Sequence, residues 1–160
     1  MNALIQTPTL RALIIGYGNP LRGDDALGVR VADCLAAIPT IAGDPLVQIE
    51  TVHQLTPDVA GLIADAGMVL FIDVTAPSPG VPPGTVHYEE IEASSASAEA
   101  LGHHLTPAQV LAYASAVFGV RPRAYVATVT AETFDYGVPL SPTVAAAVPV
   151  LVQWASALVE

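Results

Sequence analysis

The sequence predicts one α/β domain over 1–160, with a central, mostly parallel sheet of about five strands and helices on both faces. Short apolar runs alternate along the chain with segments of helical periodicity, as in folds whose strands are linked by helices. Met68–Val74 is apolar except for Asp73 near its end, which is typical of a strand buried in mid-sheet. The length of 160 residues suits a single domain, and no linker divides it.

The first half of the chain alternates strand and helix. Arg11–Gly16 is a short apolar run that ends on glycine and predicts the first strand, and apolar residues at helical spacing predict a helix over about Asp24–Ala37. Leu46–Val52 alternates as a second strand does. Pro57–Ala66 is typical of a helix, and Thr56 is the expected cap. Met68–Val74 then follows as the third strand.

The second half predicts two more strands. Thr85–Ile91 is expected as a strand, antiparallel at an edge, and Arg123–Thr130 as the last strand. Between them, Glu92–Gly102 is polar and rich in Ala and Ser, which predicts a mobile loop. A helix over 107–118 begins after Thr106, because threonine caps a first turn well and proline at the next position has no amide to leave unpaired.

Composition excludes several classes of partner. The formal charge of −10 argues against nucleic acid and anionic membrane, because phosphates are repelled. A hydrophobic content of 52% excludes disorder. Cys34 is the only cysteine, so no internal disulfide forms and a cytoplasmic location is expected. Met1–Leu10 lacks the basic and long apolar regions of a signal peptide.

Gly137–Val159 has no charged residue and could be taken for a membrane span. Three prolines interrupt it and no basic residue flanks it, so we expect a buried amphipathic helix opened by Ser141 and Pro142. Its apolar stripe is Val144, Val148, Leu151, Val152, Ala155 and Leu158. Because no further apolar stripe is left over, we expect a monomer.

The densest motif runs from Gly16 to Gly28, GYGNPLRGDDALG. A strand followed by Gly-x-Gly and a helix is also found in dinucleotide-binding folds. Here Leu21 occupies the place of the third glycine, and two aspartates stand where a pyrophosphate needs amides. A nucleotide site is therefore a minor alternative.

Three aspartates are candidates for chemistry. Asp24 and Asp25 are adjacent at a helix start, and their side chains diverge by about 100 degrees, so only one can cap the helix. The other is expected to face the crevice beyond the carboxyl ends of the strands. Asp73 ends the buried third strand, where an unpaired charge requires a metal or a hydrogen-bond donor.

Histidine is the expected third ligand type. His53 follows the second strand at the same sheet edge as Asp73, and one of His103 and His104 could enter the cleft. His87 is expected at the surface. Two carboxylates and an imidazole suit a divalent ion such as Zn²⁺ or Ni²⁺ with open positions. Backbone amides could satisfy Asp73 instead.

These motifs together resemble those of the hydrogenase maturation proteases, endopeptidases that trim the C-terminus of nickel-iron hydrogenase large subunits. The resemblance covers nearly the whole chain in order. It rests on Gly16-x-Gly18-Asn19 with Asp24-Asp25 and Gly28, the strand that ends at Asp73, His103-His104-Leu105, and Leu140-Ser141-Pro142-Thr143.

The resemblance implies a compact α/β fold and a metal site formed by Asp25, Asp73 and His103, which would also be catalytic through the metal. Gly18, Asn19 and His53 are expected to contact substrate. His53-Gln54-Leu55 differs from the Asp-Gly-Gly of several members and looks more like the branch that serves soluble, bidirectional or cofactor-reducing hydrogenases.

The implied substrate is a nickel-iron hydrogenase large-subunit precursor, cleaved after nickel insertion. Nickel would be presented by the substrate, and Zn²⁺ or Cd²⁺ could substitute in vitro. The hypothesis is that the ion polarises the scissile carbonyl or activates water while a carboxylate assists proton transfer. Two alternatives stay open: a non-catalytic metal-binding maturation chaperone on the same scaffold, and a small nucleotide-binding α/β protein.

Overall fold

A computed structural model describes residues 7–94 and 104–160 and contains a five-stranded sheet with helices on both faces. The strands are β1 (Ala12–Tyr17), β2 (Val47–Val52), β3 (Met68–Thr75), β4 (Val86–Ile91) and β5 (Arg123–Thr130). The helices are α1 (Leu27–Ala36), α2 (Pro39–Ala42), α3 (Val59–Ile63), α4 (Pro107–Phe118) and α5 (Pro142–Val159), and a 3₁₀ turn (Gly23–Ala26) precedes α1.

The strand order is β2-β1-β3-β5-β4, so β3 occupies the centre, as its mostly apolar sequence predicts. β1, β2, β3 and β5 pair in parallel, while β4 pairs antiparallel with β5 at the edge. The predicted α/β class, the mostly parallel sheet and the antiparallel edge strand are confirmed.

Each face of the sheet has its own apolar core. In β1, Ala12 and Ile14 pack towards α1 and α5, whereas Leu13 and Ile15 pack towards α3 and α4. Successive side chains of a strand point to opposite faces, and helices cover both faces here, so all four side chains are fully buried. The result is the expected three-layer arrangement.

Two predicted helices differ from the observed ones. The helix expected over Asp24–Ala37 begins as the 3₁₀ turn and becomes α-helical only at Leu27. The helix expected over Pro57–Ala66 is limited to α3, and the prediction that Thr56 caps it is wrong. The Thr56 hydroxyl donates to the side chain of Asp58 instead, so a nearby carboxylate competes with the helix amides.

α4 begins as predicted. The Thr106 side chain accepts from the Gln109 amide at 3.2 Å, and the Gln109 side chain accepts from the Thr106 amide at 2.9 Å, which forms a capping box. The loop expected over Glu92–Gly102 is described only to Ser94, which follows β4 without regular structure; its remainder lies outside the described residues.

α5 is the one helix within the described ranges that is long and apolar enough to cross a membrane, by length and composition. Its periodicity shows a different role. Val144, Leu151 and Ala155 of the predicted stripe are fully buried against the sheet, with Val148 and Val152 half-buried beside them. The prediction of an amphipathic core helix is confirmed.

Candidate functional site

An open cavity lies at the carboxyl ends of β1, β2 and β3. The helix after β1 covers one face of the sheet and the helix after β2 covers the other, because β2 is added on one side of β1 and β3 on the other side, so the strand order reverses between β1 and β3. Open α/β sheets bind ligands at such a point, because the diverging loops leave a crevice there. Gly16 pairs with Ile72, which places Tyr17 and Asp73 opposite each other at the mouth.

The cavity has a volume of ≈370 Å³ and collects most of the predicted site residues. Asp25 and Asp73 line it, and so do the expected substrate contacts Gly18, Asn19 and His53. His104 lines it as well. Residues from four separated parts of the sequence therefore meet at one sheet edge.

Glycines bring Asp25 to this edge. A Cβ at Gly16 would lie 2.0 Å from the carbonyl oxygen of Gly28, so the start of α1 approaches β1 backbone to backbone. Gly18 has a φ of +140°, and a Cβ there would lie 2.1 Å from the carbonyl oxygen of Asp25. The glycines of the motif thus serve close packing of the loop and the helix start.

The two adjacent aspartates separate as expected, but neither caps its own helix. Asp24 is fully buried and accepts from the amides of Glu132, Thr133 and Ser141 and from the Ser141 hydroxyl, at 2.7–3.1 Å. α5 begins at Pro142 with Ser141 in the N-cap position, as predicted, but the Ser141 hydroxyl donates to Asp24 and makes no hydrogen bond to the helix amides. Asp25 is half-buried, faces the cavity and accepts from the Asn19 amide at 2.7 Å.

The charge of Asp24 is held in place by these donors. Burial alone would raise the pKa of Asp24, but hydrogen bonds from Ser141, Glu132 and Thr133 outweigh it, and the pKa is lowered. Asp24 therefore ties the first loop to the segment that leads into α5.

Asp73 is in the opposite situation. Burial raises its pKa to about 7, with a further contribution from the charge of Asp25; hydrogen bonds from the Val74 amide and the Tyr17 hydroxyl oppose the rise. Burial and the neighbouring Asp73 raise the pKa of Tyr17, so Tyr17 stays a hydrogen-bond donor. A carboxyl group that is poised near neutral pH in a cleft is a feature of functional sites.

The histidines are only partly placed. His53 is exposed at the cavity, His87 is exposed on β4 as expected, and His104 is exposed at the cavity wall. His103, the ligand implied by the resemblance, lies outside the described residues. Among residues 7–94 and 104–160, no group of three His, Cys, Asp or Glu is arranged to hold a metal.

The donor set still fits a divalent cation. Asp25 and Asp73 are close enough for the charge of one to raise the pKa of the other, and a cation between them would remove that repulsion. An imidazole from the cavity wall would complete a site of mixed O and N ligands. Asp25 and Asp73 are the residues that would hold the ion.

Sequence reasoning missed Tyr17, Arg22 and Tyr136, which all line the cavity. Tyr17 lies inside the Gly-x-Gly motif, so its place at the strand end could have been recognised. Tyr136, 71% exposed, reaches the cavity from the loop after β5, and no local pattern marks it.

Several solved structures share this fold. The hydrogenase maturating endopeptidase HybD from E. coli aligns with a TM-score of 0.69 and 22% identity, over 92% of this chain and 91% of that chain. The [NiFe] hydrogenase maturation protease HycI from Thermococcus kodakarensis aligns with a TM-score of 0.72 and 23% identity, over 93% and 92%. HybD from the same organism aligns with a TM-score of 0.72 and 22% identity, over 94% and 100%.

At these identities the likeness shows the fold, and it confirms the fold that the motif resemblance implies. The sequence matches no protein-family model and no curated protein.

Proposed function

We propose that this chain is a member of the hydrogenase maturation proteases and removes the C-terminal extension of a nickel-iron hydrogenase large-subunit precursor. The observation that carries the proposal is the pair Asp25 and Asp73 in the cavity at the carboxyl ends of β1 and β3. The fold that forms this cavity is shared with those proteases. We also propose that the enzyme is soluble and cytoplasmic.

The cavity suits a polypeptide substrate. It is open, and its wall combines carboxylates, imidazoles and the exposed ring of Tyr136. A metal ion bound here, which we take to be nickel carried by the substrate, would supply Lewis-acid polarisation. Before the ion binds, burial raises the pKa of Asp73 to about 7 and Tyr17 donates a hydrogen bond to it, so Asp73 would release its proton when it holds the ion.

The same wall makes a nucleotide a poor ligand. Asp25 and Asp73 both face the space where a pyrophosphate would bind, and the anion would be repelled rather than held by amides.

The test is incubation of the purified protein with the hydrogenase large-subunit precursor of its own organism, with and without nickel loading, followed by intact-mass measurement. We expect a single C-terminal truncation of the nickel-loaded precursor only. D25N and D73N should each abolish it, and D33N, on the exposed face of α1, should leave it unchanged.

The possible results separate the alternatives. Co-elution of the two proteins without any change of mass would favour the maturation chaperone. Cleavage by D25N or D73N at the wild-type rate would remove that residue from the site. Neither cleavage nor co-elution with any precursor would overturn the proposal.

A comparison of two histidine variants tests which histidine is the third ligand of the metal ion. We expect H103A to abolish trimming and H104A to reduce it less, with H87A as the control because His87 is exposed on β4. The reverse order would assign the role to His104.

A further inference from the structure

Arg22 is held rigidly between two loops at the edge of the cavity. Its backbone forms an isolated antiparallel bridge with Tyr136, and the neighbouring Leu21 carbonyl accepts from the Gly137 amide at 3.0 Å. The Arg22 guanidinium carbon lies 5.3 Å from the ring centroid of Tyr136 and 5.8 Å from that of Phe134. These cation–π contacts hold the guanidinium by its faces.

Within the described residues, the Nε of Arg22 has no hydrogen-bond partner and its guanidinium forms no ion pair. This Nε is buried, and the ion pairs in the described parts of the chain use Arg11, His87 and Arg123. A buried donor on a charged group is costly to leave unpaired, so it needs a reason such as a ligand.

The position of Arg22 supplies that reason. Arg22 lines the same cavity as Asp25 and Asp73, in a chain of net charge −10 that contains only five basic residues. Because the faces of the guanidinium are covered by rings and its Nε is buried, the edge with the two terminal NH₂ groups is left for a planar, two-oxygen acceptor, and a carboxylate matches that fork.

We propose that Arg22 binds a carboxylate of the substrate polypeptide. This inference rests on the proposed function and adds to it the chemistry of the segment that enters the cavity. Leu21 and Tyr136 are 67% and 71% exposed beside Arg22, and they provide apolar contact for the residue that carries the carboxylate. The carboxylate belongs either to an acidic side chain or to the free end of the substrate chain.

The direct test observes the Arg22 Nε–H signal of the ¹⁵N-labelled protein by NMR, assigned by its loss in R22K. The probes are N-acetylglutamate α-amide, which offers a side-chain carboxylate, and N-acetyl-leucine, which offers a terminal one. N-acetylglutamine amide and N-acetyl-leucinamide are the neutral controls.

We expect a saturable shift of the Arg22 signal with one of the two carboxylates, and the responsive probe identifies the source. The signal of Arg30, which is exposed on α1, should stay unchanged. The absence of a saturable shift with either carboxylate, or equal shifts with the neutral controls, would overturn the proposal. This experiment uses the wild-type chain and no proteolysis, so its result is independent of the proposed function.

A kinetic test follows if the precursor is cleaved. R22Q should raise KM about tenfold with a much smaller change in kcat, R22K should recover part of the loss, and R30Q should match the wild type, which controls for loss of one positive charge. An unchanged KM in R22Q would contradict a substrate-binding role.

Discussion

Adjacent aspartates in the first loop have opposite physical roles. Asp24 is fully buried and saturated with donors, whereas Asp25 is half-buried and turns towards the cavity. The 3₁₀ turn that contains both residues permits this, because consecutive side chains on a helical turn point in well-separated directions. One residue fixes the loop, and its neighbour is available for chemistry.

Asp24 should therefore be a major source of stability. One carboxylate oxygen of Asp24 accepts from the Ser141 amide, and the other accepts from the amides of Glu132 and Thr133. In D24N an NH₂ group replaces one of these oxygens and faces its donors. We expect a loss of about 2–4 kcal/mol in the free energy of unfolding at pH 7, measured by urea titration. D33N on the exposed face of α1 is the control and should change it by less than about 0.5 kcal/mol.

The same variant has a pH signature. The pKa of Asp24 is lower in the folded than in the unfolded protein, so its stabilisation is fully present above about pH 4 and is lost as the pH falls through the folded value. The gap between wild type and D24N should narrow in acid. A gap of constant size from pH 7 to pH 3 would contradict this assignment.

Asp73 should make the stability of the protein depend on pH in the opposite direction. Its pKa rises from 3.8 to about 7 in the folded state through burial and the charge of Asp25, so the folded protein binds more protons than the unfolded one between those values. The stability of the metal-free protein should consequently fall as the pH rises from about 4 to 7. D73N keeps an oxygen for the Val74 amide and the Tyr17 hydroxyl but carries no charge.

We expect D73N to be more stable than the wild type at pH 8 with EDTA present, by on the order of 1–3 kcal/mol, and equally stable near pH 4. Urea unfolding at both pH values measures it, with D65N, an exposed carboxylate, as the control. If D73N is less stable than wild type at pH 8, Asp73 has a compensating partner in the folded chain.

At the scale of elements, the close approach of α1 to β1 and β3 positions the site. A Cβ at Gly28 would lie 2.4 Å from the Ile72 carbonyl oxygen and 2.7 Å from the Tyr17 amide nitrogen. Both contacts are with backbone atoms that cannot rotate away, so a side chain there must displace the helix. The spacing of Asp25 from Asp73 depends on that contact.

G28A should accordingly destabilise the fold by about 3 kcal/mol or more, or prevent folding. G61A is the matched control, because Gly61 lies within α3 with nothing within 4 Å of its added Cβ. Alanine there should stabilise by about 0.5–1 kcal/mol through helix propensity. Thermal unfolding of both variants measures the difference, and equal melting temperatures would contradict the close-packing explanation.

The elements that sequence predicted well are those that local pattern determines. The bounds of β5 agree with the prediction, because its alternation and flanking turns are local. The cap of α4 agrees too, because both partners of the box are three residues apart. α5 begins at Ser141 and Pro142 as predicted, but the Ser141 hydroxyl binds Asp24, 117 residues away in the sequence, and local pattern does not reveal that contact.

The same distinction applies to the site. Asp25 and Asp73 were identified because a charge at the end of a buried strand or a second acid at a helix start is visible locally. The proposed role of Arg22 in binding a carboxylate depends on the contact of its loop with Tyr136, and no spacing in the sequence predicts that contact. The metal role of Asp25, Asp73 and His103 stays a prediction.

At the scale of the whole molecule, most charged side chains lie outside the two apolar cores, and the fully buried Asp24 is an exception. The chain carries a net charge of −10 with only five basic residues, yet both faces of its sheet are covered by apolar cores. An acidic exterior repels anionic partners in general. A fixed cation such as Arg22 is therefore needed at the place where an anion is to be bound.

The last prediction concerns α5, whose length and composition alone would allow it to cross a membrane. Leu151 is 0% exposed and the adjacent Val150 is 46% exposed, because neighbouring positions on a core helix face in different directions. In a lipid-embedded helix both positions would face apolar surroundings, and a polar residue would be costly at either one.

L151N should therefore lower the free energy of unfolding by about 3–5 kcal/mol, through the lost apolar contacts and the buried amide. V150N should change it by less than about 1 kcal/mol, since the side chain already contacts water and the two residues have similar helix propensity. Urea unfolding, together with sedimentation of both variants with lipid vesicles, measures the contrast. Equal damage from the two substitutions, or recovery of the wild-type chain with the vesicles, would contradict the assignment of α5 to the core.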